Sequence, residues 1–294
     1  MRKAFPTVGI IGADPLARMF ISPAADLGIE LQIFEDDPKD LKTVRAFAMK
    51  CDVVTFADDQ SPLSIIKTLE AEGIAFRPTS AVFENSYNKG IKGQTIDFDY
   101  EITVMVARSP HGQVATWAPT QTVQEDGICM MTITPAPQLS EAMSERAQML
   151  ALDIAAEVGV IGVMAVEIFV QDEMLIVSRL VMRPHVSGNW TIEGARTSQF
   201  EQHLRAVLDL PLGDPSVTTS VAVVGNVVAG NKSDMYRPYL HLMARTPALK
   251  FHQYKVDARP GVVVGHVTLL GKNSSELIDE VQHALEYMSG EIDE

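Results

Sequence analysis

The chain has 294 residues, enough to bury a sizeable core and to divide into two or three domains. Its 24 basic and 38 acidic residues leave a net charge of -14, a field that repels phosphate backbones and anionic membranes and so argues against a nucleic-acid partner. The two cysteines, Cys51 and Cys129, stand far apart with no clustered histidine, which signals neither a disulfide framework nor a zinc site, and no apolar run reaches bilayer length.

In chain order, Thr7–Gly12 is a β-branched run ending in glycine, and Pro15–Leu27 follows with helical spacing. Ile29–Phe34 reads as a strand, Leu41–Lys50 as a helix and Asp52–Phe56 as a third strand. This βαβαβ series predicts a parallel sheet. Ser61–Glu72 is a further helix stopped by Gly73, with a short strand at Ile74–Arg77, and the first domain closes near Pro78. Thr79–Asp99 keeps neither period and is expected to be a connection.

From Tyr100 the pattern turns to strands: Glu101–Arg108, Val114–Thr120 and Ile128–Thr134, with Ser109–Gly112 as a hairpin turn. Glu141–Val158 is a long amphipathic helix ending at Gly159. Val163–Gln171 and Leu175–Leu180 form a second hairpin across an acidic turn, and Thr218–Val228, His266–Leu270 and the helix Ser275–Met288 complete the chain. The fold class is therefore α/β at the N-terminus and α+β in the middle, with expected boundaries at 1–78, 79–99, 100–214 and 215–294. The opening residues reach a strand too quickly for a signal peptide, so a cytoplasmic location is expected.

Five phrases stand in order over most of residues 98–294: VARSPHGQVATW (Val106–Trp117), DGICMMTITPAP (Asp126–Pro137), GVIGVMAVEIFV (Gly159–Val170), Arg183–Asp214 beginning RPHVSGNW, and GHVTLLG (Gly265–Gly271). In them the chain resembles the carboxyaminoimidazole ribonucleotide synthetases of purine biosynthesis, members of the ATP-grasp superfamily. GIIG at Gly9–Gly12, CDVVTF at Cys51–Phe56 and GIAFRPT at Gly73–Thr79 extend the likeness more loosely. The resemblance implies an N-terminal preATP-grasp domain, a catalytic-type sheet and a small C-terminal β-rich domain. It also implies a homodimer, and a cleft where ATP, Mg2+, bicarbonate and aminoimidazole ribonucleotide meet. There ATP activates bicarbonate as carboxyphosphate, and the carboxyl passes to the substrate amine.

Mapped onto this sequence, the family pattern implies cofactor-side carboxylates at Glu101 and Glu167, with Glu167 as a Mg2+ ligand. The second metal carboxylate belongs to an Asn-Glu pair, which here is Ser178-Arg179. Two unit cations about 4 Å apart repel by about 4 kcal/mol at an effective dielectric near 20, so Arg179 is expected to exclude the metal and to pair with Glu167. The substrate pocket implies Arg183, His185, Ser187 and Gly188, together with Lys255, Arg259 and His266 of the C-terminal phosphate loop, as contacts to a nucleotide or sugar phosphate. An Arg-Lys pair of that loop has become Val262-Val263, and the N-terminal phosphate turn reads Ala13-Asp14-Pro15-Leu16-Ala17. The central lid domain is truncated to Asn88–Gln94, read as a solvated linker. The expectation is a homologue impaired in catalysis that acts by binding. An active synthetase is the alternative, and a dinucleotide turn in GIIGADPLARM is a weaker third reading.

Overall fold

The computed structural model describes residues 5–12, 15–86, 97–125, 127–230, 236–254, 256 and 258–292; Asp14, the Asn88–Gln94 linker, Asp126 and Lys255 lie outside the described residues. The N-terminal unit runs β1 (Thr7–Ile11), α1 (Pro15–Met19), α2 (Ile21–Asp26), β2 (Glu30–Phe34), α3 (Leu41–Ala48), β3 (Val53–Phe56), α4 (Leu63–Ala71) and α5 (Ser80–Ser86). The three strands form the expected parallel sheet in the order β2-β1-β3. Ile74–Arg77 contributes an isolated parallel bridge, Val54 to Phe76, instead of a fourth strand. The predicted helix over Pro15–Leu27 is broken at Phe20, because Pro23 has no N–H to give to the preceding turn.

α5 corrects the expectation of a featureless connection. Its first residue, Ser80, donates its backbone N–H to Glu70 of α4 at 2.9 Å, and its hydroxyl bonds the same carboxylate. Phe83 then sets its ring edge-on against Phe56. The helix is held by partners from other elements, which local periodicity cannot show.

The second half runs β4 (Tyr100–Arg108), β5 (Val114–Thr116), β6 (Thr120–Glu125), β7 (Ile128–Thr134), α6 (Glu141–Val158), β8 (Gly162–Gln171) and β9 (Met174–Val181). It continues with α7 (Thr191–Gly194), α8 (Gln199–Val207), β10 (Val221–Val228), α9 (Tyr236–Arg245), β11 (Lys250–Gln253), β12 (Val263–Gly271) and α10 (Ser274–Ser289). Among the described residues these strands form one nine-stranded sheet, ordered β11-β12-β10-β7-β6-β4-β8-β9 with β5 beside β4. The antiparallel pairing of β10 with β7 carries the sheet without interruption past residue 215. Val114–Thr120, predicted as one strand, stops after Thr116, and β6 starts after Pro119.

Alternation along the strands gives the sheet two unlike faces. Ile102, Val104 and Val106 of β4 and Met164, Val166 and Ile168 of β8 bury against α6, while Val223, Val267 and Leu269 bury against α10. The opposite face carries Glu101, Thr103 and Glu167, and farther in it is covered by Trp117 and Trp190. α6 shows how legible the covering helices are. Ser140 caps its start by accepting from the Met143 N–H, and Gly159 ends it at φ 73°. Ser140→Ala is expected to cost about 1 kcal/mol, read as a lowered urea midpoint at unchanged slope.

The two halves dock through α8. Phe200, Leu204 and Val207 join the core of the N-terminal sheet with Phe20 and Ile10. His203, fully buried, spans both sheets: its Nε2 bonds Thr55 of β3 at 2.7 Å, and its Nδ1 accepts from the Val163 N–H of β8 at 2.9 Å. α8 is absent from the sequence reading, although Ser198-Gln-Phe-Glu201 has capping-box spacing and Ser198 does cap the helix. Among the described residues no helix is long and apolar enough to cross a membrane.

Candidate functional site

The site forms where the polar face of the sheet meets the loop after β3. Glu167 on β8 lies opposite Thr103 on β4 and opposite Arg179 on β9. A register shift leaves Ser178 without a partner, and this bulge is what turns Arg179 onto the face of Glu167. The β8–β9 turn that sets the register places Asp172 and Glu173 at φ 48° and 60°, the left-handed pair of a tight hairpin.

The expected Glu167–Arg179 ion pair is not what forms. Arg179 Nη2 lies 3.4 Å from Asp59 Oδ2, and Glu167 is approached by His185 Nε2 at 3.5 Å. Asp59 also receives Arg183 through two prongs, Nε to Oδ1 at 3.2 Å and Nη2 to Oδ2 at 3.1 Å. Nothing in the local sequence marks Asp59, since its partners stand 120 and 124 positions along the chain. Burial raises the Glu167 carboxyl above its ordinary range, partly offset by Arg179 and Arg183. Burial pushes His185 down to about 3, with Arg183 and Arg179 adding to the shift, so the ring is neutral and its approach to Glu167 is a polar contact without ionic character. Glu101 is satisfied by Thr122 at 2.8 Å and Gln124 at 3.2 Å.

The residues around the 3-10 turn Val186–Gly188 face inward. Gln199 of α8 accepts from the His185 N–H at 2.9 Å and donates to the His185 carbonyl at 2.8 Å. A Cβ on Gly188 would lie 2.5 Å from that amide, so glycine is required for close packing. Ser187 is fully buried and bonds His185 Nδ1 at 2.9 Å. Glu167, His185 and Ser187 have the composition of a hydrolytic triad. The ring nitrogens are exchanged relative to that chemistry, and the buried hydroxyl can meet no substrate carbonyl.

The remaining predicted contacts separate. His266, on β12, is fully buried, with Nδ1 bonded to the Tyr254 hydroxyl at 2.6 Å and 3.4 Å from the Asn189 amide. Asn189 and Gln199 link it to the His185 segment. Arg259 is exposed between β11 and β12. Thus Glu101, Glu167, Arg179, Arg183 and His185 gather at one mouth with Asp59. Ser187, Gly188 and His266 are buried away from that mouth, and Arg259 belongs to the far end of the sheet.

These groups do not fit a divalent cation. Among the described residues no group of three or more histidine, cysteine or acidic side chains stands close enough to hold one, and a guanidinium occupies the position facing Glu167. The dinucleotide reading fares no better. A Cβ on Gly12 would lie 2.8 Å from the Asp58 carboxylate, so an anionic side chain fills the space a pyrophosphate would need.

The chain is similar to known proteins over nearly its whole length. Residues 78–200 match the ATP-grasp domain model. The N5-carboxyaminoimidazole ribonucleotide synthase of Mycobacterium tuberculosis is 33% identical over 377 aligned positions, covering 97% of this chain and 88% of the relative. As 97% of 294 residues is about 285, about 90 of those positions have no counterpart here. The Mycobacterium leprae synthase is 44% identical over 208 positions, covering 67% of this chain and 47% of its own. The carboxyaminoimidazole ribonucleotide synthase of Aspergillus clavatus, solved with ATP, superposes with a TM-score of 0.86 at 23% identity over 97% of this chain and 98% of that one.

Proposed function

The chain belongs to the N5-carboxyaminoimidazole ribonucleotide synthase family, and from that premise we propose that it keeps the family's fold while its cleft no longer carries out magnesium-dependent phosphoryl chemistry, so that it acts by binding. The observation that carries this reading is Arg179. It stands across from Glu167 where a second carboxylate is needed, and it is neutralised by Asp59 instead of by a bound anion.

Three physical requirements of the reaction are affected. Phosphoryl transfer needs cations that neutralise charge on the moving group, and the mouth supplies Arg179 and Arg183 only in ion pairs with Asp59. It needs donors free to turn toward a ligand, and His185, Ser187 and Gly188 are engaged with Gln199 or with each other. It also needs water excluded, and the chain is about 90 positions short of its relatives. The same reading retains a nucleotide or sugar phosphate as the ligand class, through Arg183 and the exposed Arg259, and a second copy of the chain as partner.

Titration calorimetry with ATP, with and without Mg2+, is expected to show no magnesium-dependent binding; micromolar affinity that appears only with Mg2+ would refute the proposal. The rival reading, an active synthetase, draws on Glu101, Glu167, Arg183 and His185 standing together at one mouth. It requires phosphate release that depends jointly on ATP, bicarbonate and aminoimidazole ribonucleotide, and no such turnover is expected at high protein concentration.

A further inference from the structure

Around the mouth, the charges close on one another. Glu101 and Glu167 approach from β4 and β8, Asp59 from the loop after β3, and the facing cations are Arg179 on β9 and Arg183 just beyond it. Arg183 is held firmly: its side chain is 13% exposed, its Nη1 donates to the Pro184 carbonyl at 3.1 Å, and its other two nitrogens grip both oxygens of Asp59. This two-pronged geometry is the stronger kind of charge-assisted contact. Arg179 is 57% exposed and Asp59 45%, so this outer arm is open to screening by salt. β9 is an edge strand with β8 as its only sheet neighbour among the described strands. Asp59 therefore ties the N-terminal unit to the outermost strand of the large sheet.

We propose that Asp59, Arg179 and Arg183 form an ionic latch, in which the chain's own guanidinium completes the carboxylate mouth in place of a diffusible divalent cation and straps the loop after β3 to β9. The latch rests on the reading above insofar as that reading denies the mouth a metal. It adds what stands there instead and what it does to the fold. A cation bound from solution would leave closure of the mouth dependent on metal concentration. A covalently attached one makes closure permanent at low salt and weaker as ionic strength rises.

Strand register makes the latch testable, because directly opposed residues of an antiparallel pair hold their Cβ atoms about 5 Å apart. A carboxylate at position 179 would stand beside Glu167, with Asp59 and Glu101 within the same field, and hard cations collect such oxygens. The experiment titrates Mn2+ into the wild-type chain and into Arg179→Glu, counting free ion by electron paramagnetic resonance. It also follows hydrogen exchange of the β9 amides at low and high NaCl in the wild type, Asp59→Asn and Arg179→Gln. Arg179→Glu is expected to bind Mn2+ at least about tenfold more tightly than the wild type. Exchange in β9 is expected to quicken with salt in the wild type, and to be already fast and insensitive to salt in Asp59→Asn and Arg179→Gln.

Equal Mn2+ affinity in wild type and Arg179→Glu, or β9 exchange unchanged by Asp59→Asn, overturns the latch. If Arg179→Glu fails to fold, the two neutral variants carry the test through exchange alone. Magnesium-dependent ATP binding by the wild type would defeat the functional reading. A silent nucleotide titration with unchanged β9 exchange would defeat the latch alone.

Discussion

Acidification from pH 7 toward pH 4 should lower the urea midpoint steeply at nearly constant slope. Burial pushes His185 and His203 down to about 3 from an ordinary 6.5, and shifts His266 well below it, helped there by neighbouring His252. Below pH 6.5 the unfolded chain takes up protons at these rings while the folded chain does not. The unfolded state thus binds more protons, stability rises with pH across this window, and it is lost as pH falls toward 3. Each such histidine contributes a slope approaching about 1.4 kcal/mol per pH unit. Glu167 opposes this: its folded carboxyl is raised, so the folded state gains protons before the unfolded one and recovers some stability near the carboxylate range. One group of that sign does not cancel three of the other. Urea titrations at pH 7 and pH 5 decide the matter, and equal midpoints would show that the rings are protonated without cost.

His203→Ala should be among the most damaging single substitutions, costing on the order of 3 to 5 kcal/mol. It strands the Thr55 hydroxyl and the Val163 N–H, each buried and each worth about 1 to 3 kcal/mol when left unpaired, and it opens a cavity between the two sheets. The imidazole also explains Gly162, where a Cβ would lie 2.7 Å from the ring. Denaturation should show the loss, and hydrogen exchange should show β3 and β8 opening together, since the ring is bonded to both strands. A loss below about 1 kcal/mol would mean that water takes over both hydrogen bonds.

The candidate site was legible only in part, and the division follows distance along the chain. Arg179 could be recognised as a reversed charge from one phrase, because the motif lies within a single hairpin. Its partner could not. The natural guess was the adjacent carboxylate Glu167, but Arg179 is more than half exposed and reaches Asp59 across the mouth, while Glu167, at 15% side-chain exposure, is met by His185. His185, Ser187 and Gly188 were expected to face a ligand on the strength of their motif. α8, unread although its capping box was present, holds the His185 backbone and packs against Gly188 through Gln199, while Ser187 turns to His185 Nδ1. Glu201, the box's last residue, is followed by His203 and Leu204, whose partners lie on β3, β8 and in the N-terminal core.

By itself the amino-acid sequence determined the elements whose causes are local. These are the parallel strands β1 to β3, the capped ends of α6, the acidic turn between β8 and β9, and the arginine where a carboxylate is needed. Only the tertiary structure decided that β10 joins β7 in one continuous sheet, that Ser80 and Glu70 make a helix of an apparent connection, and that the mouth is closed by Asp59. Caps, turns and periods are written within a few residues of where they act. The β10–β7 register and the Asp59 ion pairs join groups from 88 to 124 positions apart, and their identity emerges only when the whole chain has chosen which surfaces to bury.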